Sequence, residues 1–324
     1  MVEVMTIGEP MVNLIADSPE TYMEARTLPR QMAGAEFNVA IGVARLNHSI
    51  EYVTTLGNDW QGDLIIDYMN NSGIATDHIQ RSSHAATGYQ LKVKSPTGDP
   101  KVIYFRSGSA ASQTSKEIVE SLDFEGVKIL HVTGIFCALT PNTYDTVVEL
   151  IKKAREHHVL ISFDPNPRPT LWISQEEMIE ATHRIAQLSD LFMPGLEEAQ
   201  LFSGLNSPDE IAEFYLGMGI QTIIIKLGDQ GSALYEKTED GSVKKVVVPS
   251  FQVEVVDTVG AGDGFAAGVI TGLLENLSEE KVLERANAIG ALQVTNISDS
   301  EGLPRPEQLQ EFIENSERKT VTLS

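Results

Sequence analysis

The 324-residue chain has a single cysteine, Cys137, which excludes an internal disulfide and fits a reducing compartment. Set in Ile135-Phe136-Cys137-Ala138-Leu139, it reads as a buried small hydrophobe, not as a nucleophile. Basic residues are scarce as well. Lys and Arg number 24 against 46 Asp and Glu, a formal charge of −22, so a nucleic-acid-binding surface is not expected. The acidic residues are spread over helices, where their first effect is solubility. No apolar run approaches the roughly 18 residues that a membrane helix needs. The N-terminus lacks a basic n-region and a small-residue cleavage site, so no secretory signal is expected and the cytoplasm is the expected location. The seven histidines show no metal-ligand spacing, which argues against a zinc site. Internal repeats and low-complexity segments are missing, and so is Gly-x-x-x-x-Gly-Lys-Ser/Thr, which excludes a P-loop of that type.

What the chain does have is concentrated in Asp257-Thr-Val-Gly-Ala-Gly-Asp-Gly-Phe-Ala-Ala-Gly268. Three glycines, Gly260, Gly262 and Gly264, surround Asp263. An extended apolar run (Val253, Val255, Val256) is expected before them and an apolar helical run over 265–274 after. Glycines at such a junction let the backbone turn tightly and aim several N–H groups at one point. That point lies at the positive end of a helix dipole, where an oxyanion or phosphate is favoured. A carboxylate there would repel phosphate unless it serves as a base on a neighbouring hydroxyl. Asp is also a good helix N-cap, so these residues alone leave a plain capped turn open. Gly262-x-Gly264-x-x-Ala267 fits the loose dinucleotide fingerprint. That fingerprint opens a strand-helix-strand unit, and no strand is expected after residue 276.

Elsewhere strand-like and helix-like runs alternate. Strands are expected at 2–7, 50–55, 128–132, 159–163, 191–193 and 222–226, and helices at 36–46, 61–71, 141–157 and 174–188. This is the pattern of a mostly parallel sheet covered on both faces, which binds ligands at the carboxyl ends of its strands. Residues 10–33 and 87–106 break the rhythm. The latter hold two strand-like runs, 88–94 and 101–106, joined by Ser95-Pro-Thr-Gly-Asp-Pro100, which has hairpin-turn chemistry. A hairpin inserted in such a protein is a candidate lid over the site; a plain extension of the sheet is the alternative.

Several residues look chemical. Asp164-Pro-Asn-Pro-Arg168 follows the 159–163 strand, and its prolines hold Asn166 and Arg168 off any regular element. An Arg so held can clamp a carboxylate or phosphate at two points, and a solvated surface Arg is equally open. Tyr104-Phe105-Arg106 ends the hairpin and Tyr89 lies near its start. With the turn centred near Thr97-Gly98, Tyr89 and Tyr104 would stand close, and two phenols with a guanidinium suit a small hydroxylated anion. Cross-strand aromatic packing is the alternative. Lys226-Leu-Gly-Asp-Gln-Gly231 makes a tight turn where an adenine can lie close to bare backbone. Glu198, in a first helical turn, serves the dipole or holds a metal-bound water.

Together these segments resemble the ribokinase/PfkB family of sugar kinases over nearly the whole chain. Residues 257–265 look like its C-terminal signature, and Ala33-Gly34-Ala-Glu-Phe-Asn38-Val-Ala looks like its N-terminal one. The resemblance implies one domain over 1–324 with a three-layer ribokinase-like α/β fold. It also implies a mostly parallel sheet and a small β lid built from about 10–33 and 87–106. The implied activity is ATP-dependent phosphorylation of a sugar hydroxyl, with Asp263 as general base. The N–H groups of Gly260, Ala261 and Gly262 would form the anion hole for the γ-phosphoryl group, and Arg168 would reach towards that group. ATP would lie along Asn166, Lys226, Gly228, Gly231 and Asn287, with Mg2+ held largely through water and Glu198 behind it. A monovalent cation and a homo-oligomer joined through the lid are further implications.

Within the family, residues 104–112 and 163–172, and Gly34 with Tyr89, resemble its kinases of 2-keto-3-deoxygluconate. That implies a keto-acid carboxylate held by Tyr89, Tyr104 and Arg106, and the 6-phosphate as product. Gly34 and Asn38 would meet the sugar hydroxyls, Asp299 would contact the substrate, and no macromolecular partner is implied. Gly195 and Ala33 stand where an Asn and a Gly are usual. The rivals are a fructokinase, a kinase of another deoxy-keto sugar acid, and a non-catalytic sugar or nucleotide sensor. Arg106 argues against the first, and Asp263 within an intact glycine turn against the last.

Overall fold

A computed structural model describes residues 1–16, 23–93 and 101–320. The strands are, in chain order, β1 (Val4–Ile7), β2 (Met11–Ala16), β3 (Arg30–Ala33), β4 (Ile50–Gly57), β5 (Ile74–Ala75), β6 (Ile79–Ser82) and β7 (Tyr89–Val93). They continue with β8 (Lys101–Phe105), β9 (Ile129–Thr133), β10 (Leu160–Asp164), β11 (Leu191–Phe192), β12 (Thr222–Lys226), β13 (Gly231–Lys237) and β14 (Val243–Pro249). The main sheet runs β14-β13-β12-β11-β10-β9-β1-β4-β5, with β6 also on β4. Pairing is parallel from β12 through to β5 and antiparallel only at the β12-β13-β14 end.

β4 and β9 are buried along their whole length, as strands covered on both faces are. Buried hydroxyls in this layer find backbone partners: Thr54 donates to the Gly8 carbonyl (2.7 Å) and Thr6 to that of His131 (2.9 Å). Helices Ala35–Arg45, Ala261–Leu274 and Glu279–Gln293 close over one core, which holds Phe37, Ile41, Phe265 and Ile270. Helices Pro141–Glu156, Gln175–Gln187 and Pro208–Gly217 close over the other, with Leu150, Ile185 and Ile211. This is the expected three-layer α/β fold. Cys137 lies in the second core, 3% exposed, and burial pushes its thiol pKa up. No described helix is long and apolar enough to cross a membrane.

The second sheet, β3-β2-β7-β8, is separate and makes the lid. β2 pairs with β7 in parallel, and the two outer pairs are antiparallel. The turn read at 95–100 lies outside the described residues. The register corrects one expectation. Tyr89 faces Phe105 and Tyr104 faces Gln90, and a shift of one residue puts side chains on opposite faces of a sheet. Tyr89 and Tyr104 therefore do not stand together; Tyr89 stacks on Phe105 with ring centroids 4.6 Å apart. The apolar run at 253–256 is a second correction. It forms no strand, and Val255 and Val256 are more than half exposed, because this stretch is the wall of a cavity. As expected, no strand follows residue 276 among the described residues.

Helices Ala261–Leu274 and Glu279–Gln293 pass very close to each other. A Cβ added to Gly268 would lie 2.6 Å from the Ala286 α-carbon, so the missing side chain sets the helix spacing. Gly268→Val should destabilise the fold by about 1–3 kcal/mol through overpacking. Urea unfolding checks this, and an unchanged midpoint would refute it.

Candidate active site

The carboxyl ends of the parallel strands open on one edge, where ligands of such sheets bind. Glu9 follows β1, Ile135 follows β9, Asp164 ends β10 and Lys226 ends β12. With Glu198, the lid residues Gln90, Lys92, Tyr104 and Arg106, and the start of helix Ala261–Leu274, they enclose a cavity of about 390 Å³. Gly34, Asn38, Asn166, Arg168, Gly260, Gly262, Asp263 and Asp299 also line it. Of the substrate residues implied by the sequence, Tyr89 alone is elsewhere.

Gly260 caps the helix in the left-handed conformation (φ 79°), and a side chain there would collide with the Asp299 carbonyl oxygen. Only glycine meets both conditions. Gly262 carries no such constraint: its backbone is helical, and an added Cβ would point to Lys226 Nζ at 3.5 Å. The first full helical bond runs from the Gly264 N–H to the Gly260 carbonyl (2.8 Å), and the Ala261 N–H makes only a 3.4 Å contact to the Thr258 carbonyl. The Gly262 and Asp263 N–H groups come before that ladder. The end of this helix thus offers donors to an anion at the cavity edge.

Asp263 is 8% exposed and accepts from the Asn38 side-chain amide at 2.7 Å. Burial lifts its pKa from 3.8 to about 7; the Asn38 bond pulls it down, and Asp164 and Glu36 push it up. Gly34 (φ 133°) caps helix Ala35–Arg45, which presents Asn38 to Asp263. Gly42 of that helix lies against Ala267, with 2.6 Å between an added Cβ and the Ala267 methyl. The Asn38 Oδ1 is buried and unpartnered among the described residues, which leaves it to accept a hydroxyl from a ligand. Two residues earlier, Glu36 accepts from the Thr133 hydroxyl, and burial lifts its pKa to about 7.

Three of the four cations around the cavity are already paired. Arg106 reaches Glu9 through Nε (2.6 Å) and Nη2 (2.5 Å), and Ser109 donates to the same carboxylate. Arg106 is therefore not the free guanidinium that the sequence implied, although it lines the cavity beside Tyr104, 5.6 Å from the ring centroid. Lys226 pairs with Asp164 (2.8 Å), and Lys92 pairs with Asp257 and Asp299. Arg168 alone makes no ion pair among the described residues; its Nη1 donates to Asn166 Oδ1 (2.6 Å) and to the Pro167 carbonyl (2.9 Å). The sequence reading missed Glu9, Glu36, Lys92 and Asp164. Glu9 and Asp164 had a signal, since both stand where a strand ends; Lys92 needed the lid register.

A second cavity, of about 330 Å³, lies behind the turn and is lined by Gly228, Gly231, Phe251, Val253, Val255 and Asn287. It shares Lys226, Thr258 and Gly262 with the first. Gly228 and Gly231 both have positive φ (60° and 116°), as a tight turn requires. Asn287 donates to the Val248 carbonyl (3.0 Å), which fixes the wall. Asn166 lines the first cavity and not this one, and its Oδ1 accepts from Arg168 there. Mg2+ fits the acidic corner between the cavities. Asp164 Oδ1 is buried and unpartnered. Glu198 gives Oε2 to the Gly195 N–H (2.6 Å), and burial raises its pKa against the pull of Lys226. No cluster of three or more metal-ligating side chains exists among the described residues, so this corner fits an ion held largely through water.

Comparison with known proteins agrees with this geometry. A model of the pfkB family carbohydrate kinases matches residues 1–306. A 2-dehydro-3-deoxygluconokinase of Bacillus subtilis (strain 168) is 39% identical over 98% of this chain and 97% of its own. A 5-dehydro-2-deoxygluconokinase of Clostridium tetani is 29% identical over 91% of this chain and 88% of its own. The crystal structure of a candidate ribokinase II from E. coli, in complex with ATP and Mg2+, superposes with a TM-score of 0.85 at 27% identity. It covers 97% of this chain and 99% of that one. A buried carboxylate at a glycine-capped helix end, the two cavities that meet there and the near full-length match lead to one conclusion: the chain belongs to the pfkB family of carbohydrate kinases.

Proposed function

We propose that this sugar kinase transfers the γ-phosphoryl group of ATP to the 6-hydroxyl of 2-keto-3-deoxygluconate. The observation that carries the chemistry is the place of Asp263, which lines the first cavity next to Gly262, a residue of both, and whose pKa burial lifts to about 7. Asp263 accepts the proton of the acceptor hydroxyl as that oxygen bonds to the γ-phosphorus and the bond to the bridging oxygen of ADP breaks. The N–H groups at Gly260, Ala261 and Gly262 receive the charge of the phosphoryl oxygens, and Lys226 and Arg168 flank their path. Mg2+, when bound, neutralises phosphate charge, and Asp164 and Glu198 would hold it through water. Phosphoryl transfer asks little more of a protein than this positioning.

The substrate assignment is supported by Tyr104 and Arg106 at the lid end of the cavity and by the name of the Bacillus subtilis relative. Arg106 keeps donors beyond the two that Glu9 takes, and Arg168 is unpaired. The Clostridium tetani relative supports a second reading, 5-dehydro-2-deoxygluconate. ADP release against these two acids, fructose and ribose separates them, and fructose as the best substrate would reject both. The use of ATP supports a cytoplasmic location. The outward Phe105 and Ile103, each more than two-fifths exposed beside Tyr89, support self-association through the lid, which sedimentation would test.

Because burial lifts Asp263 from 3.8 to about 7, the fold favours its protonated form. Its contribution to stability is present at acid pH and lost as pH rises through about 7, while the catalytic form appears over the same range. The kcat/KM for the sugar should therefore rise with pH up to about 7. Asp263→Asn should lose at least about 10²-fold in turnover and melt no lower than the parent at pH 8. Turnover within a few-fold of the parent would remove Asp263 from the mechanism.

Gly260 and Gly262 should respond differently to a methyl group. Gly260→Ala meets strain and a backbone collision, so it should lower thermal stability together with activity. Gly262→Ala fits the helix but crowds the phosphoryl site, so it should lower kcat with little change in melting temperature. The same loss of stability in both variants would contradict the anion-hole assignment.

Removing Arg106 alone would strand Glu9 as a buried, unpaired carboxylate, so selectivity is best read in a Glu9→Gln background. Adding Arg106→Ala there should raise KM for the keto acid about 10- to 100-fold, the cost of a charge-assisted hydrogen bond. The effect on fructose should be much smaller. Equal effects on both sugars would return the substrate to an unspecified sugar and leave the kinase chemistry untouched.

A further inference from the structure

Three charged side chains that the transfer step does not use, two of them buried and Asp257 nearly so, meet where the lid touches the 257–263 turn. Lys92, on β7 of the lid, is 3% exposed, and its Nζ lies 3.1 Å from Asp257 Oδ2 and 3.2 Å from Asp299 Oδ1. The two carboxylates belong to the two segments that frame Gly260. Asp257 lies three residues before it and holds the Val259 N–H at 3.1 Å through its other oxygen. Asp299 presents the carbonyl against which the bare α-carbon of Gly260 is packed. Gln293 ties the same segments together, since its side-chain amide donates to the Val259 carbonyl (3.2 Å) and to that of Ser298.

Without Lys92 this corner would hold two carboxylates of like charge away from water. Such a pair repels, and it must protonate, spread apart or recruit a cation. Spreading would move the segments on both sides of Gly260, and with them the N–H groups that face the phosphoryl site. The effects of burial and charge on Lys92 and Asp299 oppose each other. Burial would lower the Lys92 pKa, yet the two carboxylates raise it, while Lys92 pulls against the upward effect of burial on Asp299. No other ion pair among the described residues joins the lid strands to the 257–263 turn.

We propose that Lys92 is a positioning residue: from the lid it supplies the one positive charge that keeps Asp257 and Asp299 together, and so holds the anion hole in shape. The proposal rests on the kinase reading. It makes lid engagement and alignment of the Gly260–Gly262 donors a single event, because the ammonium that braces the turn is carried by the lid.

Lys92→Met tests it, with kcat and both KM values measured in tetramethylammonium buffer and again with ammonium or potassium chloride. The expected result is a kcat lower by about 10- to 100-fold, as a small misplacement of the groups around the reacting atoms costs, with the KM for sugar changed far less. Ammonium or potassium ions should raise kcat in the variant by a far larger factor than in the parent. Circular dichroism checks folding. If the single variant does not fold, Lys92→Gln, which keeps a hydrogen-bond donor but no charge and leaves both carboxylates in place, is measured instead with the same expectation. A kcat equal to that of the parent, a loss confined to KM for the sugar, or a folded variant that no cation rescues would overturn the proposal. A parent that releases no ADP with any sugar would instead overturn the kinase reading.

Discussion

Everything about this site depends on keeping a carboxylate dry beside a place built for anions. Asp263 sits in the first turn of a helix whose free N–H groups attract negative charge, yet burial makes its own negative charge costly. The two effects oppose each other, and the result is an acid poised near neutrality. Desolvation needs tight walls, and small residues provide them. Gly42 lets the helix that bears Asn38 lie against Ala267, and Gly268 lets the next helix close behind. The packing of two helices thereby sets the proton affinity of one side chain.

The same economy governs the cations. Six carboxylates line the first cavity (Glu9, Glu36, Asp164, Glu198, Asp263 and Asp299) against four cations. Three of those cations are spoken for by carboxylates of the protein. On the proposed reading a strongly acidic protein would meet two anions with one guanidinium that makes no ion pair among the described residues, with the helix end and, when bound, with Mg2+. Ion pairs such as Arg106–Glu9 fix the shape of the cavity more than they change its charge. An Arg read from sequence as a ligand for substrate was in part a ligand for the protein itself.

Local chemistry was legible in the sequence; long-range pairing was not. The 257–268 turn could be read because its glycines, its carboxylate and the apolar helix after it are neighbours in the chain, and the parallel sheet because each strand carries its own apolar run. Tyr89 was misplaced because a one-residue change of register moves a side chain to the other face. Glu9 and Lys92 were missed because their partners are 97, 165 and 207 residues away. The valines at 253–256 looked like a strand because an apolar cavity wall and a buried strand draw on the same residues.

The two cavities share a wall at Lys226, Thr258 and Gly262, and that has a kinetic consequence. On the proposed reading a bare sugar would occupy one chamber and ADP the other, so the two could be bound together in an unproductive ternary complex. A phosphorylated sugar would extend its new group across the shared wall into the space that the terminal phosphate of ATP needs. Product and ATP would then exclude each other, while sugar and ADP would not, a pattern of inhibition that follows from three residues standing between two chambers.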